Sequence, residues 1–244
     1  MSAFGVFWVS LGTALATGLG VIPVMSARAD EKRTIALSRA LAAGFMLGAS
    51  GGLFYEGSRQ GTAGTLVGSI IGAIFIYVTK VLLGRNKDAH IGGLKGARGL
   101  TALLVIGVMT VHSLAEGVAL GVSFAGRESL GILIAIAIAI HNIPEGVAIS
   151  LTLIPYGESP LRAAAWSVFS SLPQPLMAVP AFLAVQTFEP LLSAGLGFAG
   201  GAMIWMVFTQ LLPETLRGEY RSLALAALTG STVFMLGVEF AIGI

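Results

Sequence analysis

The amino-acid sequence predicts an all-α, polytopic membrane protein with eight transmembrane helices, and three observations carry that expectation. Mean hydropathy is +0.89. Hydrophobic residues make up 55% of the chain and charged residues 11%, where an ordinary soluble domain carries roughly 25% charged residues. Eight apolar runs, each close to the roughly twenty residues that cross a bilayer as a helix, account for most of the 244 residues, so one integral membrane domain over 1–244 is expected.

The first span, 3–25, is apolar with no Lys or Arg before it, whereas a cleaved signal peptide has a basic start and a shorter apolar core. The second and third, 34–55 and 62–83, carry Gly44, Gly48 and Gly52, then Gly64, Gly68 and Gly72. Four-residue spacing sets each trio on one face, where small residues let helices approach closely in lipid, so packing accounts for them. Met46 beside the first trio reads as packing or as a soft thioether ligand. The loop 84–98 is basic and holds His90, read as solvated or as handling a cation at an exit. The fourth and fifth spans are 100–125 and 130–155.

The sixth span, 162–188, contains Ser170-Ser171-Leu172-Pro173-Gln174-Pro175. Its two prolines withdraw backbone donors, which a membrane tolerates only where neighbours, water or a cavity satisfy the freed carbonyls. Gln174 is placed to act as a neutral contributor from a third helix. The seventh and eighth spans are 191–216 and 222–244, the latter holding Glu239 with no evident partner. Glu56, Glu189 and Glu219 sit at span ends and are expected to be solvated there.

Twelve of the fourteen basic residues fall on loops one, three, five and seven or the adjoining helix ends, leaving Arg59 and Arg127 for the other side. The positive-inside rule then puts both termini outside the cytoplasm and the loop 84–98 inside. A net charge of +2 gives no reason to expect nucleic acid as a partner. Zero cysteines exclude disulfides and thiolate ligands.

Spans four and five carry the chemistry. His112-Ser113-Leu114-Ala115-Glu116-Gly117-Val118-Ala119 is repeated twenty-nine residues later by His141-Asn142-Ile143-Pro144-Glu145-Gly146-Val147-Ala148. His and Glu four apart share a helix face, separated by about 6 Å of rise. The midpoints of the two spans fall beside His112 and His141, so both motifs sit near mid-bilayer. A lone charge there costs about 2.5–3.5 kcal/mol even on the lenient insertion scale, so a compensating partner is required. Two imidazoles and two carboxylates on adjacent antiparallel helices supply N and O donors for a divalent cation. Pro144 has no N–H and can release the carbonyl at Ala139 or Ile140 as a further oxygen.

These motifs, with Gly201-Ala202-Met203-Ile204 and Leu211-Leu212-Pro213-Glu214 in span seven, resemble the ZIP-type zinc and iron transporters, in particular the short bacterial GufA-like and ZupT-like members. The resemblance implies a three-plus-two-plus-three inverted arrangement of the eight helices and a metal centre, often binuclear, between helices four and five. It puts His112, Glu116 and Glu145 on the principal ligand positions, His141 and Asn142 on the helix-five pair, and Met46 on a helix-two position that is a ligand in some relatives. Ser113, Gln174 and Gln210 depart from the family pattern, standing where Asn, Glu and Glu are common.

The expected function is therefore transport of a divalent metal, Zn2+ first and Cd2+, Fe2+, Mn2+ or Co2+ as alternatives, into the cytoplasm across the cell inner membrane. The metal is substrate rather than cofactor, and no enzymatic activity is expected. Partners are the ions and the bilayer, with a homodimer among the assemblies this reading allows. Ligands must deprotonate to bind, so uptake should decline at acidic pH. Family likeness implies access alternating by motion of helices one, four, five and six against two, three, seven and eight. The rivals are a metal-free structural membrane protein and an intramembrane metal-dependent hydrolase. Against the latter, the chain has no His-Glu-x-x-His pair and no separate general base.

Overall fold

The apolar runs are helical in the computed structural model, which describes residues 1–26, 31–84, 96–217 and 219–241; no strand occurs among the described residues. Residues 85–95 of the predicted basic loop, His90 among them, and residues 242–244 of the predicted last span lie outside the described residues. Helix α1 (Ala3–Ala16) starts at Ser2, whose hydroxyl accepts from the Gly5 amide at 3.2 Å. This satisfies one of the donors a helix start leaves open. A 3-10 turn, Thr17–Gly20, then leads into α2 (Val21–Ser26).

Helix α3 (Glu31–Gly84) contains both predicted spans two and three. Among the described residues seven helical stretches are long and apolar enough to cross a membrane, and the 51 residues Lys32–Leu82 form one of them. Both expected spans are present as helical arms of this stretch, meeting at a kink at Gly61 instead of across a loop. At 1.5 Å per residue such a stretch is about 75 Å long, more than twice the hydrocarbon core. It does not run straight: Gly61 has extended backbone, φ 169° and ψ 102°. A Cβ built on Gly57 would lie 2.8 Å from Thr65 Oγ1, although eight residues of straight helix span about 12 Å. The arms 31–60 and 62–84 therefore fold sharply toward one another.

The rest of the chain comprises α4 (Gly96–Gly126), α5 (Glu128–Leu153), α6 (Pro160–Ser171), α7 (Pro173–Thr187), α8 (Leu191–Met206), a π-helical turn at Val207–Leu211, α9 (Leu212–Leu216) and α10 (Arg221–Ala241). The predicted sixth span is split at Leu172, between α6 and α7, where Pro173 cannot donate; Leu172 N–H instead bonds the Phe169 carbonyl at 3.2 Å. The α6 start is capped by the Ser159 hydroxyl, which accepts from the Arg162 amide at 3.3 Å, with Pro160 following.

Two groups of helices pack most heavily within themselves: α3 with α8 and α10, and α4 with α5 and α7, joined by α1 and α6. The glycine trios act as the packing stripes expected. Gly44, Gly48 and Gly52 face Ser231, Met235 and Glu239 of α10, and Gly64, Gly68 and Gly72 face Ser193, Ala194 and Phe198 of α8. The second seam is reciprocal, since Gly197 and Gly201 of α8 lie against the backbone of Thr65 and Ser69. An apolar hollow of about 330 Å³ opens between the groups, lined by residues such as Gly68, Val118, Val122, Ala181, Gly195 and Phe198.

Glu56 corrects one expectation. It is buried at 5% exposure, and its carboxylate meets Arg59 at 3.6 Å, Arg127 at 3.7 Å and the Gln60 amide, which donates at 3.1 Å. The fold at Gly61 draws this end of α3 against the α4–α5 turn, so the residue is covered rather than solvated. Glu239 is likewise buried, against Gly52, and its Oε1 has no hydrogen-bond partner among the described residues.

Candidate metal centre

His112 lies fourteen residues before the end of α4 and His141 thirteen after the start of α5. Both are thus about 20 Å along their helices from the connecting turn, at matched depth. Helix α5 runs through Pro144 without a break. The four-residue spacing turns Glu116 to the side of His112, and Glu145 to the side of His141, as the periodicity predicts. One donor atom from each of His112, Glu116, His141 and Glu145 lies within 4.8 Å of the others.

The two His112 contacts have the spacing of donors in a coordination shell, and the His141–Glu116 contact is that of a hydrogen bond. His141 Nε2 is 2.5 Å from Glu116 Oε1, while His112 Nε2 is 3.3 Å from Glu116 Oε1 and 3.6 Å from Glu145 Oε1. Donors around a tetrahedral zinc at bonds of roughly 2.0–2.1 Å are themselves about 3.4 Å apart, so small rotations suffice. Both nitrogens of His112, His141 Nδ1 and Glu145 Oε1 are buried atoms without hydrogen-bond partners. Buried polar groups normally have partners; a cation among these side chains would give one to His112 Nε2 and to Glu145 Oε1, whereas His112 Nδ1 and His141 Nδ1 are the ring nitrogens turned from the other ligands. The site is closed to solvent: His112, Glu116 and His141 are 0% exposed and Glu145 2%.

A second layer joins the cluster from α1 and α7. The Gln174 side-chain amide donates to Glu116 Oε2. At its other end, Gln174 Oε1 receives the Thr13 hydroxyl at 3.0 Å and the Asn142 amide at 3.4 Å; Asn142 Nδ2 also donates to the Thr13 carbonyl at 2.8 Å. One turn on, the hydroxyls of Thr17 and Ser171 are 2.7 Å apart. Glycines make these approaches feasible. A Cβ on Gly117 would meet the Gln174 carbonyl oxygen at 2.5 Å, and one on Gly146 would collide with the Thr17 carbonyl. The glycine after Glu in each motif thus serves the same purpose, admitting a neighbouring backbone.

Of the eight residues expected around the ion, four converge and Asn142 and Gln174 are bonded to their surroundings as described. Ser113 is buried one residue on from His112, hence about 100° round α4. Met46 is fully buried in the main hydrophobic cluster. Among the described residues no hydrogen bond or ion pair ties Ser113 or the Met46 sulfur to the cluster. Sequence reasoning missed Thr13 and Thr17. The available signal was the spacing of Ser10, Thr13 and Thr17, which sets three hydroxyls on one face of an otherwise apolar span.

A model of the ZIP zinc transporter family matches residues 84–239 of the chain. The chain belongs to the ZIP family. It is 33% identical to zinc transporter GufA of Myxococcus xanthus, over 96% of this chain and 97% of that protein. It is 32% identical to zinc transporter ZIPB of Bordetella bronchiseptica, over 93% of this chain and 78% of that protein. An Arabidopsis thaliana protein named as a candidate zinc transporter is 43% identical over 93% of this chain, which spans 37% of that protein's length. ZIP members are transporters rather than enzymes, and with its long apolar helices this one is a multi-pass membrane protein.

Proposed function

We propose that this ZIP member carries Zn2+ as its substrate across the cell inner membrane into the cytoplasm, through the His/Glu cluster between α4 and α5. The observation that carries the reading is the convergence of four ligand side chains, from motifs twenty-nine residues apart, in one solvent-free volume. His112, Glu116, His141 and Glu145 form the inner ligands; Asn142 and Gln174 hold Glu116 in place, and Met46 and Ser113 complete the set further out. Imidazole and carboxylate also suit Cd2+, Fe2+, Mn2+ and Co2+, the alternative substrates.

Eight membrane passes in a three-plus-two-plus-three order result when the two arms of α3 count as passes two and three, and the sharp fold at Gly61 supports that count. Arg59 and Arg127, assigned by the charge distribution to the non-cytoplasmic side, meet at Glu56. Met1 lies beside Glu128 at 2.9 Å, next to Arg127. This common end supports a non-cytoplasmic N-terminus, and an even number of passes returns the C-terminus to the same side. A homodimer is the assembly proposed.

Purified protein in proteoliposomes tests the reading. Wild-type vesicles are expected to fill with Zn2+ down its gradient, and His112→Ala vesicles to fill at less than about a tenth of that rate, the smallest loss expected for an essential ligand. Equal rates would remove the cluster from the ion's path.

A further inference from the structure

We propose that the cluster holds a single divalent cation per chain, and that Gln174 is the positioning residue that sets this number. The inference rests on the reading of the cluster as the metal site. Two carboxylates and two imidazoles are, by composition alone, enough for one ion or for two bridged by the acids.

Charge argues for one. Glu116 and Glu145 are the two anionic groups of the cluster, and together they offset one divalent ion. The surrounding groups, Asn142, Gln174, Thr13 and Ser113, are neutral. A second ion leaves two positive charges uncompensated in a volume without solvent, a penalty that neutral side chains do not offset.

Geometry argues for the same number. Glu116 Oε1 faces His112 and His141, while Oε2 accepts from Gln174. A carboxylate only accepts, so the end of Gln174 turned toward it is the N–H end. The opposite end is marked as oxygen by the Asn142 amide, which donates to it at 3.4 Å; the Thr13 hydroxyl, 3.0 Å away, has a single hydrogen and lies 2.7 Å from the Ser10 carbonyl as well. Asn142 is oriented in turn by donating to the Thr13 carbonyl at 2.8 Å. Flipping Gln174 would set oxygen against carboxylate and N–H against N–H. The amide is therefore locked with donor hydrogens on the flank of Glu116 where a second bridged ion would sit, and an N–H cannot ligate a cation.

The test is a metal count on the full chain, purified in detergent, stripped with chelator and dialysed against Zn2+. One Zn2+ per chain is expected in the wild type. In Gln174→Glu, which exchanges the donor for an anionic ligand but leaves one of the four positive charges of two ions unmatched, a second Zn2+ is expected to bind about 100-fold or more less tightly than the first. A second ion in the wild type, or no second ion in Gln174→Glu as Zn2+ is raised, overturns the proposal. No bound ion in the wild type overturns the metal-site reading itself, so the two failures are distinguishable. Should Gln174→Glu not fold, Gln174→Ala serves: one ion bound about 10–100-fold more weakly is expected once Glu116 loses its orienting partner, and unchanged affinity overturns the role of Gln174.

Discussion

Replacing Glu145 with alanine is expected to abolish Zn2+ flux in proteoliposomes and to weaken Zn2+ binding by roughly two to three orders of magnitude, the scale of removing one partner from a buried charge pair. Glu145 is one of two anionic groups in a cluster closed to solvent. Without it, a divalent ion meets one carboxylate and two neutral imidazoles, and a net positive charge remains at mid-membrane. Glu145→Gln separates charge from shape, because the amide keeps the volume and one oxygen but not the anion. Both variants are expected to fail similarly in flux and in isothermal titration. A Glu145→Gln protein that transports at the wild-type rate would show that charge balance does not govern the site.

The second large effect is one of backbone contact rather than ligation. Gly146→Ala is expected to lower stability by about 1–3 kcal/mol or more, the scale of overpacking a close-packed interior. Its new methyl group would collide with the Thr17 carbonyl and lie 3.2 Å from the Gly20 Cα. Nothing there can rotate aside, since the obstacles are main-chain atoms of the 3-10 turn. Gly230 in α10 provides the contrast: a Cβ there meets nothing within 4 Å, so Gly230→Ala should stabilise by about 0.5–1 kcal/mol through helix propensity alone. Thermal unfolding in detergent reads both. A Gly146→Ala protein as stable as the wild type would show that the turn yields easily. Because the turn follows Thr13 and carries Thr17, the same variant should also disturb Asn142 and reduce flux.

Much of the site was legible because its information is carried by side-chain type and helical period. His112, Glu116, His141 and Glu145 announce themselves as polar groups where lipid forbids them, and a spacing of four puts each pair on one face. What Thr13 gives Asn142 is different in kind. It is a main-chain carbonyl, present at every residue, so only the packing of α1 on α5 identifies it. Glu56 was misread because its partner Arg127 is far away in sequence and span ends are usually wet. The stretch Glu56-Gly57-Ser58-Arg59-Gln60-Gly61 looks like a polar connection between two spans. In the fold it stays helical up to Gly61, because helical backbone satisfies its own hydrogen bonds whether the side chains are polar or not.

The reciprocal seam between α3 and α8 has a mechanical consequence. Glycines on each helix are keyed into the main chain of the other, Gly68 and Gly72 against Ala194 and Phe198, Gly197 and Gly201 against Thr65 and Ser69. Sliding either helix by one residue would drive a side chain into a slot shaped for hydrogen, so the pair behaves as a single stiff beam. The hollow facing α4 and α7 is walled instead by apolar side chains, Val118, Val122, Ala181 and Phe198 among them, with spare room between them. Room for side chains to shift therefore lies along that flank of the beam and not within it.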